Sequence, residues 1–244
     1  MGIALFCLGL PNQALAQNSA AIAETWRLGH PAYLAGLLST NTAFLSLVGE
    51  KAALDERASQ LVAVATEQSF RHYRAQGTIF RGWVTVKNGD VTEGISLLRS
   101  GSAEYRATGT QTWIPYYIAF LARAYALAGQ IEEAVTHLDD ALQIVEKTGE
   151  RWFAAELNRH KGEFLLRQGH SEAAEKLYRN ALSIAEEQQA KFWELRAAAS
   201  LARLHRDQGR RAEARDLLAP VYGWFTEGFN TPDLKEARAL LDEL

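Results

Sequence analysis

Two histidines four residues apart on a helix can hold a metal ion, because both imidazoles then project from one face. The six histidines here, His30, His72, His137, His160, His170 and His205, contain no such pair. A cysteine nucleophile needs a base beside it. No motif frames the single cysteine, Cys7, or any Ser–His–Asp set in this way. The carboxylate pairs Asp139–Asp140 and Glu186–Glu187 lie in stretches whose other face is apolar, so they read as solvent-facing charges. No G-x-x-x-x-G-K-[ST] occurs, so no loop of that kind cradles a phosphate. The expectation is a chain with no catalytic residue, no cofactor and no metal. These patterns point to a role that is not enzymatic.

The bulk numbers agree with such a role. The chain has 244 residues and a formal net charge of −3, which supplies no basic field for nucleic acid. One cysteine builds no internal disulfide, and a reducing, cytoplasmic setting is expected. No stretch is read as the ~18 apolar residues that a membrane span requires, so no membrane association is expected. The first sixteen residues, "MGIALFCLGLPNQALA", offer an apolar run and an Ala-x-Ala end but lack a positive start, and they keep the phase of a repeat. They are read as repeat rather than as a cleaved leader.

That repeat positions every other residue. "LAGQIEEA" at 127–134 returns as "RQGHSEAA" at 167–174 and "DQGRRAEA" at 207–214, and Gly9, Gly49, Gly89, Gly129, Gly169 and Gly209 share the 40-residue interval. Each unit holds two runs of helical period. In the fourth, Trp113 to Leu127 is expected as the first helix and Ile131 to Lys147 as the second, with Gly129 in the left-handed conformation between them. Asp90 and Glu93 have the spacing of a capping box. Small residues seven before the glycine (Gly2, Thr42, Gly82, Ala122, Gly162, Ala202) and, except for Leu54, five after it let the two helices approach closely.

Aromatic residues begin the first helix of successive units: Tyr33, Tyr73, Trp113, Phe153 and Trp193. They are expected to pack between neighbouring hairpins. The series ends at Asp233, where Thr231 is expected to cap, Pro232 to start and Leu234, Ala237, Leu240 and Leu241 to bury one face of a terminal helix. At the other end the first unit is incomplete, and Leu5, Leu8 and Leu10 are expected to lack cover. The chain therefore reads as the C-terminal part of something larger. The fold class is all-α, a right-handed solenoid of about six hairpins. Its units are 1–28 (incomplete), 29–68, 69–108, 109–148, 149–188 and 189–228, followed by a capping helix at 229–244.

The G-x-x-x-E-A phrase, the small crossing residues and Leu98, Leu138, Tyr178 and Leu218 nine after the glycine resemble the tetratricopeptide repeat, here in a 40-residue variant. The phrases "RLGHPAYLAGLL", "TGERWFAAELNRHKGEFLL" and above all "YGWFTEGF", Tyr222 to Phe229, resemble the C-terminal repeat region of bacterial signalling proteins with a class III cyclase domain and an AAA-type ATPase. A related array occurs in MalT-type activators. The resemblance implies a non-catalytic interaction, regulatory or sensor module, since the cyclase aspartates and the nucleotide loop have no counterpart here.

The resemblance also implies a concave surface lined by positions ten and six before each glycine. Those positions hold Ile79 and Trp83, Ala119 and Arg123, Arg159 and Glu163, Ala199 and Arg203, and Arg206 extends the row. An exposed Trp83 among arginines suits an acidic protein or peptide partner, with a small-molecule effector as an alternative. The i, i+4 pair Arg159–Glu163 equally suits a solvated helix face. A free-standing adaptor that forms a homo-oligomer through its N-terminal repeat is the second functional reading.

Overall fold

In the computed structural model, which describes residues 2–244, the chain forms thirteen α-helices. Six hairpins succeed one another: α1 (Gly2–Cys7) with α2 (Pro11–Leu28), α3 (Pro31–Val48) with α4 (Lys51–Glu67), α5 (Arg71–Lys87) with α6 (Val91–Ala107), α7 (Ile114–Leu127) with α8 (Ile131–Thr148), α9 (Ala154–Arg167) with α10 (Ser171–Glu187), and α11 (Lys191–Asp207) with α12 (Arg211–Gly223). The single helix α13 (Pro232–Glu243) follows.

The turn glycines have the conformation their spacing requires: φ is +80° at Gly129 and +86° at Gly169, a region that side chains with a Cβ disfavour. A second left-handed turn closes each hairpin onto the next. It is carried by Gly29, Gly109 and Gly149 but also by Ser69 and Gln189, which hid its period in the sequence. Asp90 caps α6 by accepting from the Glu93 N–H at 3.1 Å. The small crossing residues are needed: a Cβ on Gly82 would lie 2.8 Å from the Leu98 nitrogen, and one on Gly94 2.8 Å from that of Val86.

Several expectations are corrected. Trp113 precedes α7 instead of starting it, with φ +65°, and its N–H donates to both oxygens of Glu150 at 2.8 and 2.9 Å. Thr231 occupies the N-cap position of α13, but its side chain does not bond the helix; its hydroxyl donates to the Gly228 carbonyl at 2.7 Å, while Pro232 starts the helix and Leu234, Ala237, Leu240 and Leu241 are buried as expected. Of the aromatic series, Phe153 and Trp193 are buried and meet edge to face at 5.6 Å, whereas Tyr33 lies 73% exposed on the outer end of α3. Helix α3 is long and apolar enough to cross a membrane by length and composition, contrary to the reading above, but 61% of that stretch is buried against the other helices.

The largest correction concerns the first unit. The inner helices form a ring, each meeting the next from α3 to α13, and α1 closes it by touching both α3 and α11. Phe6 is fully buried, stacked on Phe192 at 4.1 Å and edge-on to Phe44 and Trp193. Leu5 and Leu10 are half-buried, and only Leu8 stays largely wet. The cover comes from "YGWFTEGF". Phe225 packs on Phe192 at 5.3 Å, Trp224 lies against Gly9, and Gly228 lies against Pro11. The Glu227 carboxylate accepts from the N–H groups of Asn12 and Gln13 at 2.9 and 3.3 Å, supplying the cap that Leu10 cannot give α2.

Candidate functional site

Closing the ring places the C-terminal ends of α3, α5 and α7, the length of α9 and α11 and the start of α13 around one concave chamber. Its deep part has a volume of about 260 Å³ and opens into a wider part of about 550 Å³. Helix α1 lines neither part of it. A second, largely apolar cavity, walled by Trp113, Trp152 and Trp193, shares no lining residue with the deep part of the first.

The floor of the chamber is an ion network. Glu156 on α9 is buried and takes a two-pronged contact from Arg159, at 2.6 and 3.2 Å, and a third from Arg196 at 3.1 Å. Arg196 on α11 also grips Asp233 of α13 through both oxygens at 2.7 and 3.0 Å, and donates to the Leu47 carbonyl of α3 at 2.6 Å. Although burial works against the charge on Glu156, Arg159 and Arg196 hold its carboxyl well below the usual carboxylate range. Burial likewise opposes the charge on Arg196, and Asp233 and Glu156 outweigh it. One arginine thus ties the second hairpin to the fifth and to the last helix.

His160 sits beside this network, buried, with its ring nitrogens 3.1 and 3.2 Å from Arg159 Nη2 and its Nδ1 3.6 Å from Glu163. Burial first, and the Arg159 charge second, push its pKa down to about 4 from 6.5. Between these values the unfolded chain binds a proton that the folded one refuses. Stability is therefore complete above about pH 6.5 and falls as the pH drops towards 4, by about 3 kcal/mol in all. Urea midpoints measured from pH 7 to pH 4 should show this decline, and His160→Gln should flatten it; an equally steep decline in the variant assigns the loss to other groups.

The residues expected on the concave surface divide. Arg123, Arg159, Glu163, Arg203 and Arg206 line the chamber, as does Trp83. Trp83 is not exposed, however: it is 4% accessible, stacked on Phe120 at 5.2 Å and covered by the Arg123 guanidinium at 4.4 Å from the ring centre. Ile79 is fully buried beneath Gly101 in the α5–α6 crossing and does not reach the surface. Arg159 bonds Glu156 more closely than Glu163, which stands at 3.6 Å. Arg203 meets Glu236 at 3.1 Å, and Arg206 pairs with Asp207 and Glu243.

Lys51, Lys87, Glu156, Arg196 and Asp233 were not among the expected residues. Glu156 and Arg196 share one phase of the repeat, 13 before the glycine, and an acid followed by an arginine 40 residues on was the available signal. Across both parts of the chamber the arginines and lysines exceed the carboxylates by three, in a chain whose net charge is −3. Among the described residues four lining cations, Lys51, Lys87, Arg123 and Arg167, make no ion pair, Arg167 donating instead to the Ala126 carbonyl at 3.1 Å, and the basic excess lies among them. Among the described residues no group of His, Cys, Asp or Glu is placed to hold a metal ion.

A ring of helical hairpins around a charged chamber defines a solenoid of the tetratricopeptide type. Residues 117–148 and 195–222, the α7–α8 and α11–α12 hairpins, match the tetratricopeptide repeat family, and the chain carries a tetratricopeptide-repeat region. It is 26% identical over 205 residues, 84% of its length, to an uncharacterized protein of Rhizobium meliloti (strain 1021). It spans only 20% of that relative's length. Among solved structures it is similar to a Rap protein complexed with Competence and Sporulation Factor, with a TM-score of 0.71 and 15% identity over 100% of this chain and 71% of that one. It is also similar to a signal transduction ATPase with numerous domains that has a tetratricopeptide repeat sensor, from Pyrococcus horikoshii, with a TM-score of 0.54 and 12% identity over 96% of this chain and 40% of that one. At these identities the likeness is one of fold.

Proposed function

We propose that this chain is a non-catalytic regulatory module that receives an acidic partner segment in its basic chamber, as the sensor arm of a cytoplasmic signalling protein of the cyclase/ATPase kind. The observation that carries the reading is the excess of cations inside a net acidic chain. Arg123 is the sharpest case. Burial first, and Arg159 second, lower its pKa to about 10 against the opposing charges of Glu156 and Glu163, neither of which pairs with it, and the Trp83 ring faces its guanidinium. A half-buried cation without a carboxylate costs stability, and a bound anion would remove that cost. The Rap complex with its factor and the tetratricopeptide sensor of the Pyrococcus ATPase support the reading by likeness of fold.

The test uses a fluorescent pool of Asp- and Glu-rich peptides and anisotropy. Binding should weaken at least about tenfold in Arg123→Glu with Arg203→Glu, and should weaken as salt rises from about 50 to 200 mM. Unchanged affinity and salt dependence in the variant, or equal binding of a Lys-rich pool, would overturn the proposal.

A further inference from the structure

We infer that Lys51, Lys87 and Arg123 form a seat for a compact, multiply charged anion of the phosphate type. This deepens the proposed function, on which it rests, by naming the group that the ligand presents.

The three cations come from three helices, α4, α5 and α7, so no local pairing along one helix accounts for them. All three line one part of the chamber: the Arg123 guanidinium stands 4.4 Å and the Lys87 ammonium 5.8 Å from the Trp83 ring centre, and Lys51 Nζ donates to the Lys87 carbonyl at 3.3 Å. Every carboxylate of the chamber is engaged elsewhere. Glu156 and Asp233 are held by Arg159 and Arg196, Glu163 by Arg159, and Glu236 by Arg203. Like charges in one recess repel, and partial burial followed by Arg123 and Lys51 already lowers the Lys87 pKa.

A carboxylate would balance one of the three charges. A phosphate monoester carries about −1.5 to −2 at neutral pH and offers three acceptor oxygens, which suits two lysine point charges and one planar fork. Shape narrows the choice further. This part of the chamber, about 260 Å³, lies just below the range of about 300–1,000 Å³ usual for small-molecule pockets, which suits a compact group. Two sources share this chemistry, a free phosphorylated small molecule and a phosphorylated side chain of a protein partner.

Calorimetric titration of the whole chain with inorganic pyrophosphate, and separately with acetate, tests the seat at low salt. Pyrophosphate should bind one to one, and acetate at least about tenfold more weakly. Lys51→Gln with Lys87→Gln alters only exposed side chains, and should lower pyrophosphate affinity at least about tenfold with the melting temperature unchanged. No heat with pyrophosphate, equal affinity for acetate, or an unaltered affinity in the double variant overturns the inference. Free phosphoserine binding as tightly as a phosphoserine peptide supports the seat with a small molecule as source; tighter binding of the peptide supports it with a phosphorylated partner. If the acidic peptides bind through Arg123 and Arg203 while pyrophosphate does not, the seat fails and the acidic-partner module stands. If pyrophosphate binds and the peptides do not, the seat stands without that partner.

Discussion

Phe6→Ala is expected to destabilise the protein by about 3–5 kcal/mol, the range for emptying a fully buried aromatic site. The residue lies near the start of the chain, where truncation of a side chain usually costs little. Here the ring is enclosed by Phe44 of α3 and by Phe192 and Trp193 of α11, and the Arg196 guanidinium stands 5.7 Å from its centre. The cavity would open at the point where the first hairpin meets the sixth. Beyond the lost contacts, the variant should loosen the seam, and limited proteolysis should cut α1 and α2 faster than in the wild type. Leu8→Ala in the same helix removes a side chain that is 43% exposed and should cost under about 0.5 kcal/mol. A urea-unfolding cost for Phe6→Ala as small as that of Leu8→Ala would mean that α1 does not hold the ring closed.

Arg196→Met should cost about 3–5 kcal/mol, because it strips the partner from buried charges instead of replacing the whole network. Methionine restores the aliphatic volume but none of the donors. Asp233 then loses both contacts at 2.7 and 3.0 Å, Glu156 keeps only Arg159, and the Leu47 carbonyl loses its donor. Arg196→Lys should recover less than half of the loss, since one ammonium cannot reproduce a fork that reaches two carboxylates and a carbonyl. Adding Asp233→Asn to Arg196→Met should cost less than the sum of the two single changes, because both break the same contact. Strict additivity in chemical denaturation would show that Arg196 and Asp233 are not coupled.

The concave residues show where reading by register succeeds and where it stops. Arg123, Arg159 and Arg203 were legible because helical period and the 40-residue repeat together determine which face of the inner helix each occupies. Ile79 failed the same rule because Gly101 opposite it brings α6 so close that the side chain is swallowed by the crossing. Trp83 was placed correctly, but its exposure was not legible, since the cover comes from Phe120 and Arg123 of the next hairpin. Lys51 lies at the start of an outer helix and was invisible to a rule for inner helices.

By itself the sequence determined the elements and their pairing. Periodicity, glycines at positive φ and small residues at the crossings are local requirements, and a chain that meets them six times must form six hairpins. It also contains no phosphate-loop motif and no histidine pair at helical metal-binding spacing. Only the tertiary structure decided that the array closes on itself. Closure depends on the angle between successive hairpins summed over the whole chain, and small side-chain effects at each interface accumulate into it. The closed ring covered an apolar first helix that looked uncovered, made "YGWFTEGF" the seam, and gathered Lys51, Lys87 and Arg123 from three separate helices into one chamber.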